Sequence, residues 1–352
     1  MDPLTHIVAG AVLGRATAPT IARPDGLSVR ARMTAGALSA AIPDIDGLLS
    51  YVSPVAYLEQ HRGLTHSVLL LPLWALALAW LFARVARDSR GPSPWFGICA
   101  LGLASHTVLD VITGYGTMFL APVSWHRFSL GTTFIIDLWF SGILIAGLAG
   151  ALAFRRSRLP AMLALIGACA YVGLQFVLKE RAEAFGVRHA AVRKLSDAKV
   201  VAHPRPVSPF NWTVFVTNGD RTEYSHVNLV RREAKPVPAP GAGFVERLDA
   251  PYRPLDDARW HSREHFGATP ADRTLAASAW RAGELAFFRR FAELPVYDGR
   301  SPGTACVWFV DLRFDAPGRG ELPFRYGVCR EGPDSRWRAH QVRDGHPVPL
   351  RR

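Results

Sequence analysis

The chain has 352 residues and a formal net charge of +12, and this length is compatible with two domains. Its second half mixes acidic and basic residues without a basic stripe, so we infer no nucleic-acid partner. A basic domain attached to a membrane is attracted to anionic headgroups, and we therefore expect membrane lipid as a partner.

Apolar residues are concentrated in the first half of the chain. Two apolar segments, 4–14 and 33–42, come first and are too short to cross a bilayer. Longer runs follow at 67–83, 95–113, 132–154 and 159–178. Because a helix needs roughly 20 apolar residues to cross a bilayer core, we interpret these runs as transmembrane helices. Residues 1–180 are thus predicted to form an α-helical transmembrane bundle with four clear spans and two short N-terminal helices.

Residues 181–352 are predicted to form a soluble α+β domain. A charged helix should continue to about residue 195, and the sequence VTNGD at 216–220 is typical of a tight hairpin turn. The elements expected after this hairpin are an amphipathic helix at 273–294 and strands at 306–314 and 322–330. His203 and His226 have no evident partner in the sequence and are predicted to lie on the surface.

Arginine is unevenly distributed among the predicted loops, and this asymmetry predicts the orientation. The loops 84–94 and 155–158 contain three arginines each. The segments 50–66 and 114–131 contain one each, Arg62 and Arg127. Because positive residues favour the cytoplasmic side, the arginine-poor segments and the C-terminal domain are predicted to lie outside the cytoplasm. A disulfide between Cys306 and Cys329 would be permitted there, and the sequence leaves open whether they pair.

Ionisable residues of the first half are predicted to gather at the outer end of the bundle. The candidate metal ligands are His6, Asp44, Asp46, His61, His66, His106, Asp110 and Asp137. His106 and Asp110 are four residues apart, which places both on one face of a helix. This spacing suits two ligands of one metal, although a hydrogen-bonded core pair would explain it as well. His126 lies at the same predicted level and is the least secure candidate.

Imidazole nitrogen and carboxylate oxygen form a ligand set that suits zinc, with manganese or iron as alternatives. One tetrahedral site takes four ligands, so eight candidates imply two or more ions, or one site with a second layer of supporting residues. Paired divalent ions would activate water and stabilise charge during attack on a phosphoester. Arg62 and Arg127 are predicted to hold the phosphate, and Asp46 is assigned a catalytic role beside them. The alternative is that these arginines simply pair with Asp46 or Glu59.

The ordered set of motifs resembles the YdjM-like family of membrane-bound metal-dependent hydrolases. The matching pieces are TH with His6, PDxD with Asp44 and Asp46, HRGLTHS, HTVLDVITGYGT and the segment 127–137. The resemblance covers roughly residues 1–180 and implies a bacterial inner (plasma) membrane location and hydrolase chemistry, without a substrate. Leu138 stands where relatives often have proline, so the local helix start is expected to differ.

The family is in turn distantly similar to the zinc-dependent phospholipase C and P1-type nuclease fold. That similarity implies metal-binding roles for His6, His106 and Asp110. We therefore expect an integral membrane hydrolase that acts on a phosphoester or lipid-headgroup bond. The alternatives are a non-catalytic metal-binding or transport protein and a structural interaction protein. The apolar inner half of the predicted bundle disfavours a permeation route.

Overall fold

The computed structural model describes residues 1–19, 25–301, 305–318, 322–332, 335–343 and 345–350. The chain divides into two compact units. The first unit comprises Met1–Gly47 and Gln60–Val177, and the second comprises Leu48–Glu59 and Leu178–Arg352. The predicted boundary near residue 180 lies close to the second of these divisions, while the short insert at 48–59 had no sequence signal.

Helices dominate the chain up to residue 192. In chain order they are α1 (Pro3–Ala16), α2 (Val29–Ala41), α3 (Leu49–Val52), α4 (Pro54–Gln60), α5 (Leu71–Val85), α6 (Ser93–Val111), α7 (Leu138–Ala153) and α8 (Leu159–Val192). Short 3-10 helices cover Ile42–Leu48 and Leu64–His66. The charged helix expected beyond residue 178 is the C-terminal part of α8.

The prediction of four spans is not supported. Among the described residues, only α6 and α8 are long and apolar enough to cross a membrane, and a third span arises if Pro54–His66 and α5, bent by 77°, count as one. The α5 and α7 helices have 15 and 16 residues. At 1.5 Å per residue they reach about 24 Å, which is less than the roughly 30 Å of a bilayer core. Their apolar runs, 67–83 and 132–154, begin with residues that are not helical.

Three glycines bring α1, α2 and α6 into close contact. A Cβ atom on Gly10 would lie 2.2 Å from the carbonyl oxygen of Gly36, and one on Gly102 would lie 2.8 Å from the same atom. Small residues at such positions let helix backbones approach closely in membrane proteins. This packing positions His6 on α1, the 3-10 helix with Asp44 that directly follows α2, and the ligand candidates of α6.

The outward surface of the first unit is apolar. Leu73 and Trp80 on α5 and Ile166 on α8 are each at least 60 % exposed. A helix that is apolar on its exposed face is typical of a lipid environment rather than an aqueous one. The interior is also apolar, with Val12, Leu144 and their neighbours packed between α1, α7 and α8.

The second unit contains two antiparallel sheets. The first has the order β1 (Lys199–Pro204), β2 (Asn211–Asn218), β3 (Arg221–Asn228) and β4 (Trp260–Glu264). The second has the order β5 (Pro295–Arg300), β6 (Ala305–Asp311), β7 (Tyr326–Arg330), β8 (Arg338–Arg343) and β9 (His346–Pro349). Its helices are α9 (Phe244–Asp249), α10 (Pro270–Arg281) and α11 (Ala286–Phe291).

Several predicted elements of this unit are present. The continuous helix at 273–294 and the surface position of His203 were wrong. The VTNGD hairpin joins β2 to β3 with Gly219 at a φ of +56°. The helix expected at 273–294 is interrupted by a 3-10 turn at Gly283–Leu285. His203 is buried rather than on the surface, and His226 is half-buried in β3. Cys306 and Cys329 lie opposite each other on β6 and β7 and form a disulfide, which the sequence left open.

Candidate metal centre

The HRGLTHS segment forms a tight loop that is fastened to Asp46. Arg62 adopts a φ of +62°, which is uncommon for a residue with a side chain. A Cβ atom on Gly63 would lie 2.7 Å from the carbonyl oxygen of Gln60, so this position requires glycine. The Arg62 amide and the Thr65 hydroxyl donate to Asp46 Oδ2 at 3.0 and 2.7 Å. These bonds fix the direction of the loop, which ends at His66.

Four side chains from three elements converge on one point. They are Asp44 from the 3-10 helix after α2, His66 from the loop, and His106 and Asp110 from α6. One ligand atom of each lies within 4.8 Å of the others. His66 Nε2 is 2.9 Å from His106 Nε2 and 3.0 Å from Asp110 Oδ2, and His106 Nε2 is 3.5 Å from Asp44 Oδ1. Ligands of a tetrahedral zinc ion stand about 3.4 Å apart, so the spacing suits such an ion.

The hydrogen bonds behind the two histidines assign their tautomers. His106 Nδ1 lies 2.6 Å from the carbonyl oxygen of Ala40, which can only accept. His66 Nδ1 lies 2.9 Å from the Thr65 hydroxyl, whose own hydrogen is donated to Asp46. Both Nδ1 atoms must therefore donate. In neutral rings, both Nε2 atoms then present lone pairs to the cluster, as metal-binding histidines do.

The carboxylates of the cluster also present oxygens without hydrogen-bond donors. Asp110 is fully buried, and no donor among the described residues reaches its Oδ2 with hydrogen-bond geometry. The same holds for Oδ2 of Asp44. Arg62 and the amino group of Met1 offset part of the charge of Asp110. Two imidazole lone pairs and the second carboxylate, that of Asp44, still meet it at short separations, and a further cation between these groups would stabilise them. The donor set therefore fits a divalent metal ion. The residues that would hold it are Asp44, His66, His106 and Asp110.

His6 lies against this set without being one of the four. Its ring stacks on that of His106 with centroids 3.7 Å apart, and its Nε2 is 3.2 Å from Asp110 Oδ1. The amino group of Met1 contacts the same oxygen. Asp110 thus directs Oδ2 toward His66 and His106, and it directs Oδ1 toward His6 and the amino group of Met1. Only this one group with metal-binding geometry occurs within the described ranges, and a second ion stays a prediction.

Asp46 and His61 support the site from behind. Asp46 Oδ1 is 2.6 Å from His61 Nδ1, and its Oδ2 is 3.4 Å from His66 Nδ1. Burial by itself would raise the pKa of Asp46, but the hydrogen bonds with His61 and His66 hold it well below its usual range. A carboxylate behind a metal-binding histidine fixes the orientation of the ring and raises its basicity. The structure gives Asp46 this supporting position.

The two arginines predicted to hold phosphate differ in their surroundings. Arg62 is 2 % exposed, and its Nε lies 3.1 Å from Asp110 Oδ2 while it donates to Thr113 at 3.0 Å. Arg127 is half-buried and donates to the carbonyl oxygen of His61 at 3.1 Å. Both guanidinium groups lie over the ring of Tyr115, at 4.8 and 5.6 Å from its centroid. The pairing of Arg62 therefore goes to Asp110 rather than to Asp46.

Asp137 is not brought into the cluster. The apolar run 132–154 predicts that Asp137 lies within a helix. In the structure it is instead the N-cap of α7. Its carboxylate accepts from the amides of Trp139 and Phe140 and from the Tyr171 hydroxyl. Its described hydrogen-bond partners include none of the four clustered residues. His126 is exposed and packs edge-on against Phe128.

Several groups that support the site are not among the residues predicted from the sequence. Tyr115, which lies beneath both arginines, is part of the GYGT segment that had been noted only as a motif. Gly116, at a φ of +92°, allows close approach to Arg127, because a Cβ atom there would lie 2.9 Å from that of Arg127. Gly114 and Gly116 on either side of Tyr115 were the one sequence feature that could have indicated this close approach. The Ala40 carbonyl, which orients His106, carries no side-chain signal at all.

Comparison with known proteins gives one family and one relative. The sequence model of the family described as YdjM inner membrane protein matches residues 1–182, more than half of the chain. An uncharacterized protein of Bacillus subtilis (strain 168), YfhP, is 30% identical over 158 residues. That match covers 40% of this chain and 47% of the relative, so the chain spans about half the length of that protein. No solved structure matches the chain, and the similarity to phospholipase C and P1-type nucleases stays a prediction.

Proposed function

The chain belongs to the YdjM inner membrane protein family, and from this premise we propose that it is an integral membrane hydrolase with one divalent metal site. Zinc suits the two-nitrogen, two-oxygen donor set best. The bond attacked is a phosphoester or similar polar bond, and a lipid headgroup or a small phosphoester is the proposed substrate.

The observation that carries the proposal is the convergence of lone-pair atoms that could bind a metal ion. Two Nε2 atoms and the oxygens of two carboxylates meet within 4.8 Å, while the opposite sides of both imidazoles are hydrogen-bonded. A hydrogen-bonded core pair, the alternative explanation for His106 and Asp110, needs neither His66 nor Asp44. A bound divalent ion would supply Lewis acidity and lower the pKa of a water molecule.

The residues of this chain supply orientation and charge around that ion. Arg62 offsets the charge of Asp110 and, being 2 % exposed, is poorly placed to meet a substrate. Arg127 is half-buried beside His61 and is the better candidate for holding a phosphate bidentately. The side chain of Asp44 is 19% exposed, whereas those of the other three are fully buried. A substrate would therefore approach from the side of Asp44.

A structural metal site is the second candidate function, and the same burial favours it. Structural zinc sites are closed by four protein ligands, whereas catalytic sites keep three ligands and an open position. Four candidate ligands with three fully buried side chains resemble the closed type. In that case the ion stabilises the bundle, and the activity, if any, belongs to another part of the protein.

Metal content and turnover together test the proposal. The full chain is purified in detergent, bound metals are quantified by mass spectrometry, and generic phosphodiester and phospholipid substrates are screened. We expect about one ion per chain and turnover in the wild type. His106→Ala should lose both, and the exposed His126→Ala is the matched control that should keep both. A wild-type protein that binds the metal but turns over none of the substrates would favour the structural site. A wild-type protein without stoichiometric metal would reject both candidates.

We also propose that the C-terminal domain lies outside the cytoplasm. Two features support this orientation: the arginine-rich loops 84–94 and 155–158, and the disulfide between Cys306 and Cys329. Disulfides persist in oxidising compartments and are rare in the cytosol. An alkaline phosphatase reporter fused after residue 352 should be active, and activity of a cytoplasmic reporter at the same position would overturn the orientation.

A further inference from the structure

An arginine-lined cavity lies at the end of α1 that is distant from the metal cluster. His6 and Arg15 are nine residues apart on this helix, or about 13 Å at 1.5 Å per residue. The cavity has a volume of about 580 Å³. Its lining includes Arg15, Arg155, Arg156, Arg158 and the first residues of α2.

The positive charge of this cavity has no acidic counterpart in the described part of the chain. No Asp or Glu lines it, and within the described ranges none of the four guanidinium groups forms an ion pair. Arg15 is only 5 % exposed, and it donates to the carbonyl oxygen of Arg155 at 3.0 Å. A buried guanidinium without a counter-charge is costly, because carbonyl oxygens do not neutralise it. The site therefore favours an anion from outside the chain.

The geometry of α2 adds to this preference. Ser28 caps the helix by accepting from the Ala31 amide, and Ser28 and Val29 both line the cavity. The N-terminus of a helix of 13 residues carries unpaired amides and the positive end of the helix dipole. Arginine side chains and a helix N-terminus together are a favourable surrounding for phosphate oxygens.

We propose that this cavity binds the phosphate group of an anionic ligand, and that the headgroup of an anionic phospholipid supplies it. Apolar residues adjoin the arginine segment on both sides, since Phe154 and Leu159 are 65 % and 56 % exposed. A phospholipid can place its phosphate in the cavity and its chains along such residues. Basic pockets between membrane helices bind anionic lipids by this combination. The site is separate from the metal cluster and does not depend on the proposed hydrolase activity.

Binding of short-chain lipids to the full chain in detergent tests the proposal. The probes are dioctanoyl phosphatidylglycerol, dioctanoyl phosphatidylcholine and inorganic phosphate, and calorimetry measures their affinities. The test variant is Arg155→Gln/Arg156→Gln/Arg158→Gln, whose side chains are exposed or half-buried, so folding should persist. The control is Arg84→Gln/Arg87→Gln, which removes two exposed arginines from the last turn of α5 and the turn that follows it in the same unit. Circular dichroism and monodisperse elution verify that both variants are folded.

We expect saturable binding of phosphatidylglycerol, at least about tenfold weaker in the triple variant and unchanged in the control. Raising the salt concentration should weaken the binding of the wild type. Binding of inorganic phosphate with the same arginine dependence and similar affinity would identify free phosphate as the source and sustain the anion site. Equal affinity for phosphatidylglycerol and phosphatidylcholine, or wild-type affinity in the triple variant, would overturn the proposal. An equal loss in the control would do the same, since it would indicate unspecific charge.

Discussion

Buried histidines occur in both units of the chain, but their surroundings are opposite in kind. In the first unit, His66 and His106 each donate from Nδ1 and turn Nε2 toward carboxylate oxygens. In the second unit, His203 is buried beside Phe215, and its Nε2 has no hydrogen-bond partner among the described residues. Burial alone therefore does not identify a metal site. Convergence of imidazole and carboxylate lone pairs marks a group that could hold a metal ion.

Electrostatics separate the second-unit histidines further. Burial, followed by the positive charge of Arg205, lowers the pKa of His203 well below its usual value. The same two causes lower the pKa of His226 to about 3. Both rings are therefore neutral at physiological pH, with an arginine as their charged neighbour. The positive charge of Arg205, which acts on both rings, would repel a metal ion.

The largest expected effect comes from removing the carboxylate that the first-unit histidines share. Asp110→Ala should abolish stoichiometric metal binding, because it removes one ligand and leaves Arg62 buried without its partner. Breaking a buried ion pair from one side costs about 3–5 kcal/mol of stability. Metal analysis and thermal unfolding in detergent measure the two effects. A metal content equal to that of the wild type in this variant would mean that His66 and His106 are not metal ligands that share Asp110.

A smaller effect is expected from the group behind His66. Asp46→Asn keeps the shape of the side chain but weakens its hold on the imidazole ring. Loss of such a supporting carboxylate lowers metal affinity by about 10- to 100-fold. Titration with a competing chelator measures the change. The exposed Asp256→Asn serves as the control, and an affinity equal to that of wild type in Asp46→Asn would remove Asp46 from the site.

Acid should destabilise the second unit through His226. Its folded pKa of about 3 lies below the ordinary value of 6.5, so the unfolded chain binds the proton first. Stability from this group is therefore complete above pH 6.5 and is lost as the pH falls toward 3. At pH 5 the loss is about 2 kcal/mol. Hydrogen-exchange protection of the β2 and β3 amides should show this loss in the wild type and in His346→Gln, but less of it in His226→Gln.

The smallest effect is expected at His203. Replacing a buried polar group that lacks a partner by an apolar group of similar shape is nearly neutral or stabilising. His203→Phe should therefore change the free energy of unfolding by less than about 1 kcal/mol. Thermal unfolding in detergent measures it. A loss as large as that of Asp110→Ala would mean that His203 has a partner of comparable importance.

The prediction of four spans is not supported, whereas the candidate ligands stay a prediction that the structure partly brings together. The spacing of His106 and Asp110 predicts that they share one helical face, and of the two histidines in HRGLTHS the structure brings His66, but not His61, into the group with them. Asp137 was misplaced because the apolar run begins at residue 132, whereas the helix begins only after Asp137 caps it. Hydropathy measures apolar runs, and it does not detect where a helix starts within one.

Other features could not be predicted because they depend on tertiary contacts. The pairing of Arg62 with Asp110 requires a left-handed backbone at Arg62, which charge patterns do not encode. The burial of His203 follows from packing against Phe215, which the short strands did not reveal. The amphipathic pattern of 273–294 continued through Gly283, where the helix breaks.

X-ray absorption at the metal edge of the detergent-purified protein reports directly on the ligands of the proposed ion. We expect about one ion per chain with a first shell of nitrogen and oxygen at about 2.0–2.2 Å, including imidazole scattering. His106→Ala should lose the ion and with it the imidazole scattering, and His126→Ala should keep both. A protein without stoichiometric metal, a shell containing sulfur, or a signal unchanged in His106→Ala would contradict the assignment of the site.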